Sequence, residues 1–203
     1  MTDPRYLLKI RLLDIEPEIW RRFVVPGSIT LDRLHDVIQI VMGWEDYHLH
    51  AFTIGKKRYT EFPESEKLDG AQDGRFRLVD LIKQKGRTFG YEYDFGDCWE
   101  HEITIEDNRY FNPELETTVA CIEGERACPP EDVGGVRGYY EYYRGLIDPD
   151  HEEHNSYKTW YGGSAWNGVF EGETYDIGKV NNELLSYLRW SRERLGPWNS
   201  TGK

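Results

Sequence analysis

The first 25 residues alternate between hydrophobic and polar positions. Tyr6, Leu8, Ile10 and Leu12 share one parity, and residues 19–25 repeat the alternation. A period of two is typical of a strand that buries one face. The stretch between the two runs, residues 14–17, reads Asp-Ile-Glu-Pro and indicates a turn. We therefore predict an antiparallel pair of strands over residues 5–25.

The next segment changes to a helical period. Leu31, Leu34, Ile38 and Val41 recur at three- and four-residue intervals, and the run is followed by Gly43. Thr30 precedes it as a residue type that caps helix N-termini, and glycine is common just past the C-terminus. The pattern predicts a helix between these two residues.

Two hairpins are predicted after this helix. Residues 48–54 alternate and lead through Gly55 into a short strand around residues 58 and 59. Residues 89–95 and 99–105 alternate around a turn at Gly96 and Asp97, and their aromatic side is predicted to be core. Residues 61–75, which are polar, are predicted to be a loop.

The remainder of the chain is predicted to be a long loop followed by helices. Residues 107–137 contain prolines and a Gly-Gly pair and show little periodicity. Helical spacing follows over residues 139–147, about 150–161, and from 177 to 191 with Asp176 as a cap. Clustered strands and helices indicate one α+β domain over residues 1–203, with a largely antiparallel sheet and a helical C-terminal third.

Composition and charge narrow the possible functions. The chain has 203 residues and a formal charge of −12, and residues 92–153 hold 18 Asp and Glu against 4 Arg. Such a surface repels phosphate backbones, so we expect a protein partner rather than a nucleic acid. The sequence shows no signal peptide and no apolar run long enough for a bilayer, so we expect a cytoplasmic protein without a membrane partner.

Several phrases of the chain resemble the signature segments of the plasmid Ri ORF-three-like family, which also includes insertion-element passenger proteins of a TnpR type. The phrases occur in order along most of the chain: Ile19–Arg22, Leu34–Trp44, His48–Phe52, Tyr91–His101, Ala127–Gly135 and Asp148–His154. The resemblance implies an α+β fold of the roll type and no established activity. The TnpR label indicates gene neighbourhood, because the chain lacks the features of a serine resolvase.

Histidines, cysteines and carboxylates offer a possible divalent-metal site, with zinc, manganese or iron as the ion. His48 and His50 share one face of a predicted strand, and His101 has the parity of a core face. Asp150, His151 and His154 are predicted to lie near the start of one helix. The candidate ligands are His48, His50, His101, Cys121, Cys128, Asp150, His151 and His154.

Ordinary structural roles explain the same residues. The histidines fit hydrogen-bonded positions at the core edge, and acidic residues are favoured at helix N-termini. Three cysteines without an export signal indicate reduced thiols or metal ligands rather than disulfides. If the protein has a site, we expect it within the acidic segment 92–153. The candidate residues are Asp94, Asp97, His101, Glu131 and Asp132, together with Trp160.

No phosphate loop, Ser-His-Asp order or CxxC pair is present. We therefore expect a non-catalytic accessory or interaction module. The alternative is a metal-binding protein or a metal-dependent hydrolase that uses His, Cys and Asp ligands.

Overall fold

A computed structural model describes residues 3–63, 70–162 and 174–195, and the side chains up to residue 160 and from 174 to 189 within those ranges. Its centre is one eight-stranded sheet. The strands are β1 Arg5–Leu12, β2 Trp20–Pro26, β3 His50–Ile54, β4 Lys57–Thr60, β5 Gly70–Gln72, β6 Thr88–Tyr93, β7 Trp99–Asp107 and β8 Ala120–Glu125. The helices are α1 Leu31–Met42, α2 Leu78–Leu81, α3 Gly135–Ile147, α4 His154–Gly162 and α5 Ile177–Leu195, with a 3-10 turn at Asp73–Arg75.

The sheet is almost entirely antiparallel. Its strand order is β5-β4-β3-β6-β7-β1-β2-β8, and only the β4–β5 pair is parallel. The N-terminal pair β1–β2 and the hairpins β3–β4 and β6–β7 form as predicted. The predicted α+β class, with a largely antiparallel sheet, is confirmed.

One face of the sheet carries the core. Along β1 the residues of even number, such as Leu8 and Ile10, are fully buried, while Lys9 and Arg11 alternate with them on the other face. Helix α1 contributes Leu34 to the same core. On the opposite face, charged residues form cross-strand ion pairs that stay partly exposed to solvent, such as Arg11–Glu102 at 2.9 Å. The period-two alternation of the sequence therefore matches the buried and exposed faces of the sheet.

Helix boundaries largely follow the predicted signals. Helix α1 begins after Thr30 and ends at Gly43, whose φ of 102° only glycine adopts readily, although the Thr30 side chain makes no capping hydrogen bond. The Asp176 carboxylate accepts a hydrogen bond from the backbone N–H of Lys179 at 2.9 Å and caps α5.

Three predictions are wrong, because two predicted loops each contain a strand and one predicted helix begins later in the chain. The predicted loop over 61–75 includes β5, which has three residues and is too short to show a period. The predicted loop over 107–137 includes β8, whose pairing with β2 shifts register between Arg22 and Phe23, so its alternation is broken. Helix α4 begins at His154, so Asp150 and His151 precede it instead of lying on its face.

A buried arginine joins three parts of the fold. Arg21 is fully buried on β2, and its Nε donates to the carbonyl of Val41 at the end of α1. Its two terminal nitrogens donate to the carbonyls of Trp20, Glu125 and Arg126 at 2.7–2.8 Å. Gly124 lies beside it, and a Cβ at that position would be 2.8 Å from the Arg21 Cδ. The guanidinium therefore fastens the end of β8 to the sheet and to α1.

Helix α5 covers the outer edge of β8. The Asn181 side chain accepts a hydrogen bond from the backbone N–H of Cys121 at 2.8 Å and donates one to its carbonyl at 3.0 Å. A further strand would make the same two hydrogen bonds to Cys121. The Asn181 side chain therefore pairs these backbone groups in place of a strand. Within the described ranges, none of the helices is long and apolar enough to span a bilayer.

We expect Arg21→Met to lower the free energy of unfolding by about 3 kcal/mol, because the backbone carbonyls that it satisfies would stay buried without donors. Urea unfolding followed by circular dichroism measures this change. Arg144→Gln is the control, because Arg144 is mostly exposed in an ion pair with Glu141, and we expect a change below about 0.5 kcal/mol. Equal effects of the two substitutions would contradict the role of Arg21.

The contact between α1 and α5 predicts a pH dependence. Burial raises the pKa of Asp36 from 3.8 to about 6, although the Tyr187 hydroxyl donates a hydrogen bond to its carboxylate. Between these two pH values the folded state binds more protons than the unfolded state, so stability falls as the pH rises through this window.

We expect Asp36→Asn to remove this dependence and to raise stability at pH 7 by about 1–2 kcal/mol, since the amide retains an acceptor for Tyr187 without the charge. Urea unfolding of both proteins at pH 4, 5, 6 and 7 measures it. Parallel pH profiles for the two proteins would show that Asp36 does not titrate in this range.

Candidate metal centre

The hairpin β6–β7 brings an acidic turn against the 48–50 segment. Pairing of β3 with β6 places His50 opposite Tyr93, and beyond it the backbone N–H of Asp94 donates to the carbonyl of Leu49 at 2.9 Å. Asp94 has a φ of 55°, which few residues other than glycine adopt. Its Oδ1 accepts a hydrogen bond from the N–H of Gly96, which leaves Oδ2 directed towards His48.

The loop before α3 reaches the same place from the other side. The Asp97 carboxylate accepts a hydrogen bond from the N–H of Gly134 at 2.9 Å. A Cβ on Gly135 would lie 2.5 Å from the carbonyl oxygen of Asp97, so only glycine permits this approach. Asp132 has a φ of 56° just before this contact. The close packing of turn against loop therefore sets the position of residues 131 and 132.

Four side chains meet at this junction. His48 Nε2 lies 3.2 Å from Asp132 Oδ1, 3.7 Å from Asp94 Oδ2 and 3.9 Å from Glu131 Oε2. The Asp94 side chain is 9% exposed and that of Asp132 is 70% exposed, so the cluster has a buried side and a side open to water. We name these four residues, His48, Asp94, Glu131 and Asp132, the carboxylate–histidine cluster.

The cluster leaves polar atoms without hydrogen-bond partners. Both His48 Nε2 and Glu131 Oε2 are buried atoms for which the described structure contains no hydrogen-bond partner. Among the described residues, His48 is also the ion-pairing partner of all three carboxylates, and no Lys or Arg joins them. Buried polar atoms of this kind normally have a partner, so the geometry of the cluster leaves room for a ligand to supply one.

Glu131 is held in place by its second oxygen. Glu131 Oε1 accepts hydrogen bonds from the Tyr93 hydroxyl and from the backbone N–H of Glu45, both at 2.9 Å. Burial and the neighbouring Glu131 raise the pKa of Tyr93, so the phenol keeps the proton that it donates. The Trp44 indole N–H donates to the carbonyl of Pro129 and braces the same loop. Oε2 is thereby oriented for a ligand.

Comparison with known proteins identifies the family. The sequence pattern described as plasmid pRiA4b ORF-3-like protein matches residues 4–183. The chain belongs to this family. The uncharacterised protein y4hQ of Sinorhizobium fredii (strain NBRC 101917 / NGR234) is 38% identical over 188 residues, which are 92% of this chain and 94% of the relative. The resemblance found in the sequence is confirmed.

A solved relative of the pRiA4b ORF-3-like family shares the fold. The crystal structure of MM3350 from Methanosarcina mazei Go1, a protein of unknown function, matches with a TM-score of 0.75 at 34% identity. The match covers 89% of this chain and 99% of the other. Both relatives are described without a function, so the chemistry of this family member has to be inferred from its own side chains.

The three histidines that the sequence grouped together are separated in the structure. His50 stacks on His35 with ring centroids 3.5 Å apart, and its Nε2 lies 2.8 Å from Asp73. His101 packs edge-on against Trp44, and burial lowers its pKa to about 3. Its Nδ1–H donates to the carbonyl of Tyr91 at 3.2 Å, so this imidazole is neutral and belongs to the core.

The remaining candidate ligands do not belong to this cluster. Cys121 Sγ lies 3.0 Å from the Tyr175 hydroxyl, and burial raises the pKa values of both Cys121 and Cys128. His154 Nδ1 lies 2.7 Å from the carbonyl of Gly145, and His151 Nδ1 accepts a hydrogen bond from the N–H of Glu153. Among the described residues, the ligand atoms of His48, Asp94 and Asp132 lie close enough together to hold a metal ion. Of the eight metal ligands predicted from the sequence, His48 is therefore the one that lies in this cluster.

Of the six residues proposed as a site in the acidic segment, three form part of the cluster, and His101 belongs to the core as described above. Asp94, Glu131 and Asp132 belong to it, whereas Asp97 supports the loop and Trp160 is half exposed on α4. His35 was not expected from the sequence, because it lies among the apolar positions of α1 and its partner Tyr91 is 56 residues away in sequence. In the sequence, the Gly134-Gly135 pair is the feature that indicates a close backbone contact at this loop.

We expect Gly135→Ala to destabilise the protein by about 2–3 kcal/mol, because the added Cβ meets the Asp97 carbonyl and its φ is also unfavourable. Gly55→Ala is the matched control, since its φ of 65° is the same within a degree and nothing lies within 4 Å of its Cβ position. We expect that control to cost about 1 kcal/mol. Thermal and urea unfolding measure both, and equal losses would show that the contact with Asp97 does not constrain the loop.

Proposed function

We propose that the protein binds one divalent metal ion at the carboxylate–histidine cluster. The observation that supports this proposal is the convergence of a buried imidazole nitrogen with three carboxylates that lack a Lys or Arg partner among the described residues. A single charge of +1 on a protonated imidazole would leave a net negative cluster. A divalent ion would neutralise more of it and provide the missing partner atoms.

The distances suit a first-row metal. With bonds of about 2.1 Å, ligand atoms around a metal lie ~3.0 Å apart in an octahedral site and ~3.4 Å apart in a tetrahedral one. His48 Nε2 lies 3.2 Å from Asp132 Oδ1 and 3.7 Å from Asp94 Oδ2, close to these values, and Glu131 Oε2 at 3.9 Å would have to move closer to join them. One nitrogen with carboxylate oxygens favours manganese, iron or zinc over calcium or magnesium.

The exposure of the ligands provides an entrance. Asp132 is mostly in water, while Asp94 and Glu131 are largely buried behind it. An ion can therefore meet Asp132 first and exchange its water for the buried oxygens afterwards. The Tyr93 and Glu45 hydrogen bonds keep Glu131 oriented during this step.

We expect the protein, purified without an affinity tag and stripped with chelator, to bind Mn²⁺ or Zn²⁺ with a stoichiometry of one by calorimetry. A metal concentration 100 times the dissociation constant adds about 2.7 kcal/mol of stability, which raises Tm by roughly 5–10 °C in a chain of this size. Asp94→Asn and His48→Gln should each weaken binding at least about 10-fold, because each removes one ligand.

Asp97→Asn is the matched control for these substitutions. It changes a carboxylate in the same turn, and its remaining oxygen still accepts the hydrogen bond from Gly134. We expect its metal affinity to stay within about twofold of the unmodified protein. Absence of a metal-induced rise in Tm, or equal losses in Asp94→Asn and Asp97→Asn, would refute the metal site.

A second role, as an interaction module of a mobile element or plasmid, is supported by the acidic segment 92–153 and by membership of the family. Acidic residues of this segment line two surface clefts together with aromatic rings. This arrangement suits a partner of opposite charge. The side chains that line the clefts indicate which chemical groups such a partner would present.

A further inference from the structure

Two clefts lie side by side beyond the carboxylate–histidine cluster. Each has a volume of about 370 Å³, and they share Tyr142 and Trp160. These two rings contact edge to face, with centroids 5.1 Å apart and an interplanar angle of 83°. Trp160 is 49% exposed, so the ring pair forms a wall with cleft on both sides.

The first cleft combines aromatic rings with carboxylates. Tyr47 and Trp160 supply exposed aromatic surface and Glu45 supplies an exposed carboxylate, while Tyr142, Pro129 and Glu131 also line the cleft but are largely buried. Tyr47 is 67% exposed at this cleft, and its hydroxyl donates a hydrogen bond to the Glu45 carboxylate. An aromatic face beside a carboxylate is the environment that organic cations prefer.

The second cleft repeats this combination. Asp132 and Glu141 line it, together with Tyr157 and the shared wall. Glu141 already pairs with Arg144 at 2.9 Å, but both side chains are about half exposed or more, and such pairs contribute little. Among the described residues that line the two clefts, none is Lys, Arg or His.

We propose that the two clefts bind basic side chains, Arg or Lys, of a partner polypeptide. An anionic ligand would be repelled by the carboxylates that line the clefts, whereas a guanidinium or ammonium group can lie on an aromatic face and pair with an exposed carboxylate such as Glu45 or Glu141. Two adjacent clefts on one wall fit a chain with more than one basic residue better than a compact small cation. The proposal refines the interaction role stated above. Glu131 and Asp132 also belong to the carboxylate–histidine cluster, so the peptide is tested with metal-free protein, whereas Glu45 and Glu141 lie outside the cluster.

The test uses the full-length protein and a fluorescent nonapeptide with three arginines separated by alanines. Its control is the same peptide with citrulline in place of arginine, which keeps the shape and removes the charge. We expect saturable binding of the arginine peptide by fluorescence anisotropy, at least about 10-fold tighter than that of the citrulline peptide and weaker at higher salt.

Variants of the protein assign the binding to the clefts. Trp160→Leu removes the shared wall and Glu45→Gln removes one carboxylate, and we expect each to weaken binding about 5- to 10-fold. Phe111→Ala is the matched control, because Phe111 is 83% exposed and lines neither cleft. Circular dichroism and Tm of each variant establish that it is folded before its affinity is compared.

Four outcomes would overturn the proposal: no saturable binding, equal binding of the citrulline peptide, equal losses in Trp160→Leu and Phe111→Ala, or N-acetyl-arginine amide binding as tightly as the peptide. The last result would indicate a small organic cation as the ligand. Asp94→Asn separates the two proposals, because Asp94 lines neither cleft. This substitution should lower metal affinity and leave peptide affinity within about twofold.

Discussion

The buried guanidinium of Arg21 is the constraint on which both the fold and the candidate site depend. Arg21 is a cation that is fully buried from solvent. Its charge is balanced by backbone carbonyl dipoles from β2, the end of α1 and the end of β8. Desolvation lowers its pKa, but the carbonyls satisfy its hydrogen-bond donors. Residues 127–135 begin immediately after the Arg126 carbonyl that it binds, so the arginine fixes where this loop leaves the sheet.

The loop then receives its second fixed point at the β6–β7 turn. Gly134 and Gly135 approach Asp97 so closely that no larger residue fits at position 135, and between the two anchors the chain presents Glu131 and Asp132 to His48. A cluster of like charges is unfavourable by itself and persists only where the surrounding structure holds it. The close packing therefore explains how three carboxylates can share one imidazole.

Much of the fold could be predicted from the sequence, because period-two and helical spacing directly report which faces are buried. Leu8 and Ile10 identify the buried face of β1, and Thr30 and Gly43 bound α1. The strand β8 was missed because its register shift breaks the alternation. The site was divided between two groups of candidates, because His48 was grouped with the metal ligands and Asp94 and Asp132 with the other candidates. Nothing in the sequence shows that the segment at His48 packs against this turn and loop. Parity also misled, because His48 and His50 lie two residues apart but only His50 belongs to β3.

The paired hydrogen bonds from Asn181 to Cys121 have a consequence for self-association. Open sheet edges recruit strands from other molecules, which leads to domain exchange and fibre growth. Here an incoming strand would have to displace α5 from β8, while the opposite edge strand β5 has only three residues. The β8 edge of the sheet is thus protected from polymerisation by α5 and by the amide of Asn181.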